Sequence, residues 1–305
     1  MPELRTEILT VNMGPQHPST HGVLRLVLEL DGETVLSIAP TIGYLHTGIE
    51  KTAEQKKWQQ VIPLVERMDY LSAHSNTLGY VLAVEKLLGM DIPERVTWIR
   101  VLLAELQRLN SHLVWLGTHV MDLGAITVML YTFNERERIL NVNELIAGFR
   151  MFPSYIRVGG LREDLPAGFH QAVGDILERL PGQIDKCEDL LTKNEIFVQR
   201  TRGVGVLSRA DALAYGLVGP IARGSGVPYD VRKAFPYCGY ETFDFDVPIG
   251  SAGDVFDRYM VRVSEIRQSI RICRQALERI SPTGAYGADD PRVVPPPKDK
   301  VYTEM

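Results

Sequence analysis

Along residues 23–30 the chain reads Val-Leu-Arg-Leu-Val-Leu-Glu-Leu, with Leu24, Leu26, Leu28 and Leu30 on one side and Arg25 and Glu29 on the other. That period of two predicts a strand with one buried face. Asp31-Gly32 and a second apolar run, Val35 to Ala39, follow, which predicts a hairpin. Residues 1–48 therefore read as a small N-terminal β region. From about residue 50 the period becomes helical. One helix is expected over Tyr70–Leu88, closed by Gly89. Pro93 opens a long one through Ile99, Leu103, Leu106, Leu113 and Leu116. Others are expected over Ala125–Gly148 and residues 167–193, with a turn at Gly159-Gly160 between them. The strongest stripe is Tyr259, Val263, Ile266, Ile270, Cys273, Leu277 and Ile280, whose alternating spacings of four and three face a bundle. Residues 219–251 are rich in glycine and proline and read as irregular structure with short strands. The fold class is α+β, mainly α: a β region over 1–48, a helical bundle over 49–285 and an extended arm over 286–305, where Pro295-Pro296-Pro297 precedes charged residues.

Composition narrows the function classes. With 305 residues and 45% apolar content the chain can bury a large core. A formal net charge of -5 argues against nucleic acid as the main partner. Cys187, Cys238 and Cys273 form no CxxC pair, so neither a disulfide framework nor a cysteine-held cluster is expected from this chain alone. No run of eighteen apolar residues spans a membrane. Any membrane role is expected to be peripheral.

Four segments could carry chemistry. Gly14-Pro15-Gln16-His17-Pro18-Ser19-Thr20-His21-Gly22 sets two histidines in a turn; Pro18 argues against the helical i, i+4 zinc pair, leaving a turn with hydrogen-bonded histidines as the bland reading. Arg67-Met68-Asp69-Tyr70-Leu71-Ser72 precedes an apolar helix, with Asp69 as its cap or first-turn acid. Asp122 ends the long helix, where an acid meets the unfavourable end of the helix dipole and needs solvent, a cation or a histidine nearby. Arg136, Glu137 and Arg138, with Arg157 and Arg162 around the Gly-Gly turn, suit surface salt bridges. His74 and His112 read as satisfied structural residues, and Gly203-Val204-Gly205 lacks the rest of a dinucleotide fingerprint.

Taken together, residues 14–25, Gly43-Tyr44-Leu45-His46-Thr47-Gly48-Ile49-Glu50-Lys51, Tyr155-Ile156-Arg157-Val158-Gly159-Gly160 and Phe245-Asp246-Val247-Pro248-Ile249-Gly250 resemble the D-subunit family of NADH-quinone oxidoreductase, respiratory complex I. The resemblance runs over essentially the whole chain. It implies a fold similar to the large subunit of nickel–iron hydrogenases. Where those enzymes hold metal with an Arg-x-Cys-x-x-Cys motif, this chain has Asp69 and Ser72 in the cysteine places. Nickel needs soft thiolates, so the resemblance implies a metal pocket turned into one for an organic substrate.

By the same resemblance, a quinone headgroup sits between Tyr70 and His21, Asp122 supports the histidine, and Arg67 lies near an iron–sulfur cluster held by a partner subunit. FMN and NADH belong to other peripheral-arm subunits, and a membrane-arm subunit meets this one at the quinone channel. The expected product is a peripheral subunit on the cytoplasmic side of the cell (inner) membrane, taking part in proton-translocating quinone reduction and inactive alone. The rivals are a subunit of a ferredoxin-dependent membrane oxidoreductase and a truncated, noncatalytic structural subunit. Two departures stand out. Phe152 occupies a place where many family members have histidine, and the family continues beyond Met305, so a C-terminal truncation is expected.

Overall fold

The computed structural model describes residues 7–294, and the polyproline arm lies outside the described residues. The chain divides into two compact units, residues 1–55 and 56–305.

In the first unit, β1 (Ile8–Met13), β2 (Arg25–Asp31) and β3 (Thr34–Thr41) form an antiparallel sheet in that order, followed by the short α1 (Ile49–Ala53). The Asp31-Gly32 hairpin is present, with Asp31 opposite Thr34 and a bulge between Glu29 and Leu30. Arg25 and Glu29 share a polar face as the alternation predicts. Arg25 donates to Asn12 Oδ1 at 2.7 Å, and Glu29 accepts from Ser37 at 2.7 Å. The expected buried face does not form: Leu26, Leu28 and Leu30 are only half-buried and all of β3 is exposed. A three-stranded sheet without a second layer has nothing of its own to bury a face against.

The second unit is built around α4 (Glu94–Asp122), preceded by α2 (Trp58–Val65) and α3 (Ala73–Leu88). After it come α5 (Ile126–Ala147), the two-residue strands β4 (Ile156–Arg157) and β5 (Gly160–Leu161), α6 (Phe169–Leu191) and α7 (Glu195–Thr201). Then follow α8 (Arg209–Ala214), α9 (Gly219–Gly224), α10 (Val231–Ala234) and α11 (Val255–Arg279). The long helix α4 packs most extensively against α5 and α11. It is buried on nearly every side over Ile99–Gln107, as a central bundle helix must be. At Gly117 an added Cβ would stand 2.6 Å from Thr132 Oγ1, so only glycine lets α5 approach this closely. The α11 stripe is confirmed: Tyr259, Val263, Ile266, Ile270 and Cys273 are all buried. Gly89 caps α3 in the left-handed conformation.

Two expectations fail in instructive ways. Residues 219–251 contain α9, α10 and a 3₁₀ turn at Tyr240–Thr242, and no strand. Their placement is fixed by side chains. Arg223 reaches Glu265 on α11 at 2.5 Å, and Arg232 reaches Glu105 on α4 at 2.9 Å. Helix α3 begins at Ala73 instead of Tyr70, because the Asp69 carboxylate accepts from Leu71 N–H at 3.0 Å and its carbonyl from Ser72 N–H at 2.9 Å. Such local acceptors compete with the helix for the same donors.

Residues 286–288 extend the β4–β5 hairpin through Leu161 N–H to Tyr286 O at 2.9 Å and Ala288 N–H to Gly159 O at 2.7 Å. A cavity of about 770 Å³ lies here, lined by Trp58, Ile62, Arg157, Arg162, Tyr286 and Val293 among others. Arg157 and Arg162 of the fourth candidate segment line it, whereas Tyr70, Arg67 and Asp122 do not.

Candidate functional site

The 66–72 segment is held from four sides. Glu66, 1% exposed, accepts from the Ser154 amide and hydroxyl, each at 2.6 Å. Burial pushes its carboxyl above the usual range, against the two Ser154 bonds and the Arg67 and Arg157 charges. Gln107 on α4 donates to Leu71 O at 2.5 Å. Asn76 on α3 donates to Asp69 O at 3.1 Å. Arg67 donates to Pro63 O at 2.7 Å, and its guanidinium lies over the Phe152 ring, 4.4 Å from the centroid. The 150–155 segment is tied down in turn by Asn143, which donates to Arg150 O at 3.0 Å and accepts from His74 Nε2–H at 3.1 Å.

On this fixed turn Tyr70 is 52% exposed, and its hydroxyl has no hydrogen-bond partner among the described residues. Glu66, Arg67, Asp69 and the Leu71 carbonyl around it are engaged with the backbone or a neighbour, whereas the phenol is exposed. Arg67 and Tyr70 thus share one segment. The expectation that Asp69 caps α3 is modified: its carboxylate organises the preceding turn, and Ser72 takes the cap position without a side-chain bond.

Asp122 is the last residue of α4 and is exposed. One turn earlier His119 stacks on Trp115, with ring centroids 5.0 Å apart and planes at 17°. Burial and the Arg262 charge lower the His119 pKa, and the Asp122 charge works the other way. Asp122 therefore has a histidine within its own turn, one of the compensations its position at the helix terminus calls for. The i, i+3 spacing of His119 and Asp122 is the only sign of this pair in the sequence, and apolar periodicity does not draw attention to it.

His21 lies in the first unit. It closes the 3₁₀ turn Pro18–Thr20 in the left-handed conformation, φ 53°, and is exposed. His17 begins the same turn and accepts from Ser19 N–H through Nδ1 at 3.1 Å. Thr20 is buried and donates to Pro15 O and His17 O. At Gly14 an added Cβ would collide with Leu24 O, so the turn needs glycine there. The bland reading holds for His17. The His21 imidazole has no partner among the described residues.

The other histidines behave as read. His74 is buried against Asn143 and pulled down to about 4 by desolvation. His112 Nε2–H donates to Glu265 at 2.8 Å, and burial lowers its pKa against the pull of that carboxylate. The surface-salt-bridge reading holds for Arg138 with Glu135 and Arg162 with Glu163, and Glu137 pairs with Arg150. It fails for Arg136, which is 7% exposed with Nη1 unpartnered among the described residues.

Cys187 and Cys238 are pushed up to about 11 and Cys273 well above the ordinary thiol range, all by burial. Among the described residues no group of three or more His, Cys, Asp or Glu side chains is placed to hold a metal ion. Among the same residues no helix is long and apolar enough to cross a membrane.

The fold places the chain among mainly helical α+β proteins that carry a small antiparallel sheet. Residues 122–305 match the family model described as the 49 kDa subunit of respiratory-chain NADH dehydrogenase. The chain is 56% identical over 300 residues to the NADH-quinone oxidoreductase D-subunit of Geotalea uraniireducens (strain Rf4), covering 98% of this chain and 77% of that one. It is 56% identical over 301 residues to a D-subunit of the same enzyme from Roseiflexus sp. (strain RS-1), covering 98% and 72%. The D-subunit of Citrifermentans bemidjiense is also 56% identical, over 302 residues, covering 99% and 77%. The chain belongs to the NADH-quinone oxidoreductase D-subunit family.

Proposed function

We propose that this chain forms one wall of the quinone site of a proton-translocating NADH:quinone oxidoreductase, with Tyr70 and His21 as hydrogen-bond donors to the quinone oxygens. The observation that carries this reading is the Tyr70 phenol, exposed without a partner among the described residues on a turn held by Glu66, Asp69 and Gln107. A fixed donor costs little reorganisation when charge develops on the substrate. Two-electron reduction makes both quinone oxygens basic. Tyr70 Oη–H can supply one proton and a His21 ring N–H the other, completing the quinol. Solvent then restores both donors. Asp122 is assigned to stabilise the protonated histidine, as a carboxylate does in other histidine–aspartate pairs.

The electrons are assigned to an iron–sulfur cluster on a partner subunit. Arg67, fixed over Phe152, keeps its positive charge near that interface. FMN and NADH are placed on further peripheral-arm subunits, and the membrane arm meets the quinone entrance on the cytoplasmic side. A fold likeness to the hydrogenase large subunit would set Asp69, whose carboxylate accepts from Leu71 N–H, and Ser72, at the N-cap position of α3 without a side-chain bond, in the places of the metal-binding cysteines.

Tyr70→Phe in the assembled complex tests this. Quinone reduction should fall by about 10²-fold, while NADH oxidation by an acceptor that takes electrons upstream is retained. Unchanged quinone reduction would remove the donor role.

A further inference from the structure

Along the α4–α11 contact, Trp115 is sandwiched between two basic side chains. The Arg262 guanidinium lies 4.5 Å from the Trp115 ring centroid, and His119 stacks on that ring at 5.0 Å. The Phe197 ring of α7 meets the imidazole edge-on at 6.5 Å. The ring is therefore oriented by aromatic faces and not by hydrogen bonds. Its Nε2 is buried and has no partner among the described residues, an expensive arrangement for a purely structural histidine. One turn on, Asp122 stands on the same side of α4 by its i, i+3 spacing.

We infer that His119 is a positioning residue for Asp122, a half-buried imidazole that takes up a proton on its buried Nε2 when the Asp122 carboxylate lacks another counterion. The inference rests on the assignment of Asp122 to the quinone site. The groups facing His119 are Asp122 on its own helix, Arg258 and Arg262 on α11, and on α7 the Phe197 ring and nearby Arg200, which donates to Leu123 O at 3.1 Å. Arg258 is engaged by Gly253 O at 2.7 Å and Gly205 O at 2.9 Å, which fixes its charge in place. Burial brings Arg262 down to about 10, so at neutral pH it is still a cation. Burial, Arg262 and Arg258 keep the imidazole neutral, and the Asp122 charge draws a proton toward it. Uptake needs only a proton from solvent and no change of redox state.

The test uses the assembled complex and the pH profile of quinone reduction, divided at each pH by the upstream-acceptor activity. Arg262→Gln removes a cation beside His119, so the alkaline limb should move up by about one pH unit. Arg262→Lys keeps the charge and should leave the limb where it is. In a His119→Gln background, Arg262→Gln should move nothing. A limb that stays put in Arg262→Gln, or that moves equally with and without His119, overturns the inference. If Asp122→Asn abolishes quinone reduction while the Arg262 variants keep the wild-type profile, only this inference fails. If Asp122→Asn is fully active, the assignment of Asp122 fails and this inference falls with it.

Discussion

The polar groups around Glu105 and those around Tyr70 are organised in opposite ways. Glu105 is fully buried on α4. Its Oε1 accepts from Arg232 at 2.9 Å and Tyr240 at 2.6 Å, and its Oε2 from Ser269 at 2.7 Å and Arg108 at 3.2 Å. Burial opposes its charge, yet the two arginines and two hydroxyls hold its pKa down at about 2. Beside it, Glu265 joins His112 to Arg223. Around Tyr70 the backbone is equally well tied, but the phenol is left exposed without a partner among the described residues. A saturated buried network specifies packing, because removing any member strands the rest. An unsaturated polar group on a rigid turn is available to a substrate.

The contrast predicts a descending series of stability effects. Glu105→Ala should be the most damaging, at about 3–5 kcal/mol, since Arg232 would keep only Asp230, half-buried Arg108 would lose its acid, and the buried Tyr240 and Ser269 hydroxyls would lose their acceptor; chemical denaturation should show it, and a loss below about 1 kcal/mol would sink the saturated-network account. Acidification comes next. His74 has its folded pKa lowered to about 4 from 6.5, so the unfolded chain binds the extra proton. Its contribution is fully present above pH 6.5 and is lost as pH falls toward 4, about 3 kcal/mol in all. Melting temperatures across that window should drop less steeply in His74→Gln than in the wild type. Gln107→Ala removes the bond to Leu71 O and should cost about 1 kcal/mol. It should also loosen the turn, raising the apparent KM for quinone in the assembled complex; an unchanged KM would mean that Gln107 does not position Tyr70. Tyr70→Phe closes the series: its melting temperature should match the wild type, with a change within about 0.5 kcal/mol. A large loss there would make Tyr70 a structural residue and dissolve the comparison.

How far the sequence reaches follows the same division. Elements set by local pattern are legible in it: the Asp31-Gly32 hairpin, the Gly89 cap and the α11 stripe from Tyr259 to Cys273. The start of α3 is not, because one side chain, Asp69, takes the Leu71 amide, a competition invisible to apolar periodicity. The helices in 219–251 escape a local reading because their anchoring partners are distant: Arg223 meets Glu265 42 residues away, and Arg232, besides its neighbour Asp230, meets Glu105 127 residues away. A sign is nevertheless present, since Glu105, Arg108 and His112 recur at helical spacing on a helix that also buries Arg100, Gln107 and Asn110 among its apolar residues. The first unit's sheet alternates as expected, but alternation does not say what covers the apolar face. For the site, the residues alone favour ordinary caps and turns, and only the family resemblance singles out Tyr70, His21, Asp122 and Arg67. The structure adds what the resemblance lacks, namely how Glu66, Gln107 and Ser154 hold the turn that carries Tyr70.

The central claim is that the quinone headgroup meets Tyr70. Photoaffinity labelling of the assembled complex with a quinone carrying the reactive group on its ring addresses it directly, with labelled peptides mapped by mass spectrometry. The account predicts label within residues 66–72, lost when unmodified quinone competes. Competable label elsewhere in the complex, with residues 66–72 unmodified, would contradict it.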